Sequence, residues 1–148
     1  MTPIPTTLRP TGVEPIAASA DTLTVIAWHD QVIEQTPGAI RTDSDDALVW
    51  WTCSVGSIAV VMAHRFARHA ADGSTVWTLD DIAATFGISG SRSDVRVRRS
   101  LDRLVQFGIA HRSGHTLAVR LWLPPLTRRQ RDRLPGYLGA AYDDAVGG

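Results

Sequence analysis

The chain contains no lysine, a single cysteine (Cys53) and no long apolar run. One thiol forms no internal disulfide and builds no structural zinc site by itself. The longest apolar stretch, Ile58 to Ala63, is too short to span a bilayer. The start, Met1 to Pro10, has no basic opening followed by an apolar run and does not read as a secretory signal. The expected setting is therefore cytoplasmic and nucleoid-associated, with no membrane partner. No Gly-rich phosphate loop, nucleophile elbow or HExxH is present. The expectation is a non-enzyme with no metal and no cofactor.

The positive charge is all arginine, and it is unevenly placed. Residues 1–87 hold four arginines against ten acids, and residues 88–135 hold eleven arginines against three. A net charge of zero thus conceals a basic block, which points to a charged partner. At 148 residues the chain has room for one domain, or one domain plus an arm. Residues 1–20 are rich in Pro, Thr and Ala without periodicity and are expected to form a disordered arm. Residues 21–140 are expected to be the domain, and residues 141–148 a tail.

Several elements are legible. Leu23 to Trp28 is apolar and β-branched, as in a strand that joins the sheet or a partner. The acidic run Asp43 to Asp46 suits a helix N-terminus. Ala47 to Ala71 has helical spacing, divided at Gly56. Its apolar face, with Val55, Ile58, Met62 and Phe66, requires either a central place in the core or cover from a second subunit. The latter gives a homodimer. Thr78 and Asp81 have the spacing of a capping box, and Gly87 stands where that helix must stop. Ser93 is placed to cap the next helix, in which Val97, Leu101, Leu104 and Val105 follow i, i+4, i+7, i+8. Ile109 to Arg112 and Thr116 to Leu123 read as strand, turn, strand. Thr127 to Leu134 and Gly136 to Val146 read as short helices.

The order helix, helix, turn, helix, hairpin over residues 54–123 gives an α+β fold. Its expected form is a winged helix-turn-helix, with a helical core at 78–108, a wing at 109–123, an N-terminal extension and C-terminal short helices. Ala83 is small where two helices cross, and Ile82, Phe86 and Ile88 point at a shared core. Residues 79–123 resemble the winged helix-turn-helix superfamily. The stretch Ser100 to Ala110 is also similar to a group of actinobacterial winged-helix proteins. These share a Trp-rich helix upstream and an Arg-rich segment ending Arg133-Leu134-Pro135. The resemblance covers most of residues 23–140; it implies a fold and brings no established activity.

That resemblance implies that helix 93–107 enters the major groove of double-stranded DNA. Arg96, Arg99 and Arg103 lie at i, i+3, i+7 opposite the apolar face, with Arg98 on the flank. Arginine can read guanine or pair with phosphate. Arg92 and Ser93 stand at the helix start, where phosphates are commonly held. Arg112, His115 and Arg120 decorate the hairpin. The expected function is sequence-specific DNA binding by a transcriptional regulator. The plainer reading is a solvated face, since arginine must do all the cationic work here and Arg98 and Asp102 have the spacing of an ion pair. The alternative function is a protein–protein adaptor, with Asp43 to Asp46 and an exposed Trp-rich region as the working surface. An RNA binder is disfavoured by the lack of aromatic platforms.

The remaining candidates are weaker. His64 and His69 are five apart and do not share a helix face as ligands would; His29, His111 and His115 are scattered. Cys53 is expected to be a buried structural thiol. Trp28, Trp50 and Trp51 are expected to serve packing before ligand stacking.

Overall fold

The computed structural model describes residues 22–147. The expected arm at residues 1–20 lies outside them. Strand β1 (Thr22–Trp28) buries Leu23 and Val25 at alternate positions, the period of a strand with one face on the core. It joins the sheet at an interior position. Four strands run in the order β3-β1-β5-β4, where β3 is Thr75–Thr78, β4 is Ala110–Ser113 and β5 is Thr116–Arg120. β1 pairs antiparallel with β3 (Leu23 opposite Trp77) and parallel with β5 (Val25 opposite Leu117). A parallel pair needs a long crossover, and five helices lie in the connection between these two strands.

Helix α2 (Asp45–Val55) starts at Ser44, whose hydroxyl accepts from the Ala47 N–H at 3.2 Å, with Asp45 and Asp46 in the first turn. It ends at Gly56, whose φ of 98° an L side chain rarely adopts, and α3 (Ser57–Ala70) begins immediately after. Gly56 therefore makes the expected division. α3 is covered by this chain: Ala59, Val60, Met62, Ala63, Phe66, Ala67 and Ala70 are all buried. It packs on α2, β1, β5 and α5 (Ser93–Gln106). The rest of its apolar surface is open: Ile58 is half-buried and Val61 is exposed. Phe66 lies at its centre, edge-to-face with Trp77 at 5.2 Å and Phe86 at 5.6 Å.

The expected strand Thr116 to Leu123 is split at Leu121. β5 runs beside β1 as far as Arg120, level with Trp28 where β1 ends. The next residues, β6 (Trp122–Leu123), pair with β2 (Ile40–Arg41) in a separate two-stranded sheet. Thr42 ties the two sheets together, its hydroxyl donating to the Arg120 carbonyl at 2.6 Å. The short helix α1 (Gln31–Glu34) precedes β2 and is capped by the Asp30 carboxylate.

The C-terminal end departs from the expected tail. After α6 (Arg128–Asp132), helix α7 (Gly136–Gly147) runs through the proposed boundary at 140. Tyr142 anchors it: the ring is buried edge-to-face against Trp50 at 5.3 Å, and the phenol oxygen accepts from the Leu126 N–H at 2.8 Å. Burial of this one aromatic packs α7 against α2.

Arg120 joins the N-terminal extension to the hairpin. Its guanidinium lies 3.7 Å from the centre of the Trp28 ring, donates to the Asp30 carboxylate at 2.9 Å and donates to the Gly108 carbonyl at 2.7 Å. The hydrogen bond from Arg120 holds the Asp30 carboxyl below its ordinary pKa, aided by the α1 backbone N–H groups. A depressed carboxyl adds stability above its unfolded pKa of about 3.9 and loses it as pH falls through the lower folded value. Urea unfolding of Arg120→Gln should therefore give a lower midpoint than the parent at neutral pH, with the gap narrowing as the medium is acidified below about pH 4. A gap independent of pH would mean that the ion pair contributes nothing.

Candidate nucleic-acid interface

Helix α4 (Leu79–Thr85) begins with the expected capping box. The Asp81 N–H donates to the Thr78 hydroxyl at 3.0 Å and the Thr78 N–H donates to the Asp81 carboxylate at 3.5 Å. It ends at Gly87 with φ of 69°, and the Ile88 N–H returns to the Ala83 carbonyl at 2.8 Å. Ile82, Ala83 and Ile88 are buried, and α4 packs on α5. The linker residues Ser89, Gly90 and Ser91 are exposed.

Ser93 does not cap α5. Arg92 occupies the cap position, and Ser93 is already the first helical residue, its N–H donating to the Gly90 carbonyl at 3.2 Å. The start of α5 has no side-chain cap. Val97, Ser100, Leu101 and Leu104 face the core. At about 100° per residue this leaves Arg92, Arg96 and Arg99 on the other side at i, i+4, i+7, and all three are exposed.

The arginines differ in how they are held. Arg96 donates to the Ser89 carbonyl at 3.2 Å, which ties the linker to the helix. Arg98 is exposed with its guanidinium 3.7 Å from Asp94, one turn back. Arg112 donates to the Gly114 carbonyl at 3.2 Å, and both Arg112 and His115 are exposed on the hairpin.

Two of the expected contacts are directed inward. Arg103 donates to the Val55 carbonyl at 2.6 Å and to the Ser54 carbonyl at 3.1 Å, and lies 5.3 Å from the Phe107 ring centre. It satisfies carbonyls at the end of α2 that the helix leaves without internal partners. Arg120 is held by Trp28, Asp30 and Gly108, with its side chain 16% exposed. Both guanidiniums bond within the chain, Arg103 to the end of α2 and Arg120 to the N-terminal extension and the start of the hairpin. Sequence spacing places Arg103 on the arginine stripe; no local signal brings it to a helix 48 residues away.

Arg103→Ala should destabilise the fold by about 1.5–3 kcal/mol, the range for hydrogen bonds from a charged donor. Arg103→Lys should restore little, since an ammonium cannot reproduce the planar fork. The salt dependence of any DNA binding should be unchanged. Chemical denaturation measures the first effect; a loss below about 0.5 kcal/mol would contradict the capping role.

Elsewhere, Arg128, Arg129 and Arg133 are exposed, and Arg131 pairs with Asp143. Trp50 and Trp51 are 8% and 3% exposed, so the exposed Trp-rich surface required by an adaptor is not present there. Cys53 is exposed, which corrects the expected buried thiol: it falls on the outer side of α2, away from Trp50 and Trp51. Among the described residues no three His, Cys, Asp or Glu side chains are grouped as metal ligands, and no helix is long and apolar enough to cross a membrane.

No protein-family model, curated protein or solved structure matches this chain. The assignment of function therefore rests on the geometry of α5 and its surroundings.

Proposed function

We propose that this chain is a sequence-specific, double-stranded DNA-binding protein of the winged helix-turn-helix type, acting in transcription regulation. The observation that carries the reading is the division of α5: a buried apolar face, and an exposed face presenting Arg92, Arg96 and Arg99 in one row. In this reading α4 and α5 form the helix-turn-helix pair and the β4–β5 hairpin is the wing. The wing is braced by β1, which pairs with β5 along its length. Arg96 and Arg99 reach base edges in the major groove. Arg92, Ser93 and Arg112 hold phosphates, and the exposed Ser89 to Ser91 linker has no bulky side chain to keep a backbone away.

The electrostatic setting supports the same face. Residues 88–135 carry a net charge of +8, from eleven arginines and three acids. Arg103 and Arg120 are used internally, so the contacts concentrate on the first two turns of α5 and the tip of the hairpin. Selection from a pool of randomised duplexes tests the reading. The expected result is enrichment of a short motif of one helix-width, containing guanine where Arg96 and Arg99 dock. Retention of DNA without any enriched motif would contradict sequence-specific recognition.

A further inference from the structure

A cavity of about 150 Å³ lies between α2, the segment at residues 124–126 and the end of α7, remote in sequence from α5. A void of this size holds a molecule of benzene dimensions. Its lining includes the aromatic residues Trp50, Trp51 and Tyr142, and the only charged residue among those that line it is Asp46. The remaining walls are aliphatic, prolyl or glycyl. Trp50 and Tyr142 pack edge-to-face, with ring centres 5.3 Å apart and an interplanar angle of 74°. Asp46, which is exposed, supplies the one carboxylate among the lining residues.

Aromatic faces set at an angle, with one carboxylate and no cation, are the chemistry that recognises an organic ammonium ion. Ring quadrupoles attract the cation, and a carboxylate adds a charge of the right sign. Asp45 stands beside Asp46 in the first turn of α2, so the charged side chains nearest the cavity are carboxylates. A neutral apolar molecule would fit the rings and gain nothing from Asp46.

We propose that this cavity is a binding site for a small alkylammonium ion of the trimethylammonium type. The site is distinct from the arginine face of α5, and its test uses no DNA, so either reading can fail alone.

The probe is choline, titrated into the full chain while the tryptophan indole N–H resonances are followed by NMR. Its neutral carbon isostere, 3,3-dimethylbutan-1-ol, is the control. The expected result is saturable movement of the Trp50 and Trp51 resonances, with an affinity at least ~10-fold weaker for the isostere. Asp46→Asn should weaken choline binding ~5-fold or more while leaving the fold intact, because Asp46 is exposed. Ala145→Phe, which fills the cavity from an exposed position on α7, should abolish it. The proposal is overturned by any of three results: no saturable shift up to ~10 mM choline, equal binding of the neutral isostere, or an Asp46→Asn affinity equal to that of the parent.

Discussion

Phe66→Ala should unfold the protein more readily than any surface substitution, at a cost of about 3–5 kcal/mol. Phe66 is fully buried, and it touches Trp77 of β3 and Phe86 at the end of α4 through edge-to-face contacts. Truncation removes the apolar contact, the aromatic pairing and the fill of the space between α3, the sheet and the α4 terminus. Typical domains are stable by only about 5–15 kcal/mol, so the loss is a large fraction of the total. The measurement is the urea midpoint at neutral pH. Phe66→Leu should recover part of the loss, because it restores volume without the ring geometry. A cost below about 1 kcal/mol for the alanine variant would mean that Phe66 is not where the three layers meet.

The second large effect concerns α5. Arg96→Ala and Arg99→Ala should each weaken binding to the selected site by about 1–3 kcal/mol, and the pair together by about 2–6 if they act independently. The double variant thus loses at least ~30-fold in affinity for its best site. It should lose much less on random duplex, so the ratio between the two collapses. Arg92→Ala should behave differently, weakening all duplexes alike and flattening the logarithmic salt dependence by about one unit. The competition ratio between selected and random duplex separates the two behaviours. Equal losses on both duplexes for Arg99→Ala would move Arg99 from base contact to phosphate contact. Neither Arg96→Ala nor Arg99→Ala should alter the unfolding free energy by more than about 0.5 kcal/mol, because both side chains are exposed.

The local features were readable because local physics sets them. The Thr78–Asp81 capping box, the stop at Gly87, the break at Gly56 and the amphipathic spacing of α5 each depend on residues within a few positions of one another. The hairpin was readable as far as Leu121, where pairing passes from β1 to β2. That switch depends on where β1 ends, and β1 lies about ninety residues earlier in the chain. The interior place of β1 between β3 and β5 has the same cause: alternation marks a strand but does not name its partners.

The arginines illustrate the limit most directly. Spacing puts Arg96, Arg99 and Arg103 on one stripe, and only tertiary structure separates them. Arg103 meets the free carbonyls of α2, whereas Arg99 meets no acceptor among the described residues. Arg120 alternates outward from the buried Val119 and Leu121, as a hairpin surface residue would. It is then used by Trp28 and Asp30 from the N-terminal extension. Tyr142 could not be distinguished from a tail residue until Trp50 and the Leu126 N–H supplied its partners.

The most direct test of the DNA-binding proposal is fluorescence anisotropy of a labelled duplex against the full chain, across ~50 to 200 mM salt. In the proposed complex the two arginines assigned to phosphates, Arg92 and Arg112, predict binding whose logarithm falls with the logarithm of salt at a slope of about −2. Absence of binding at ~50 mM salt, or binding indifferent to salt, would contradict the account.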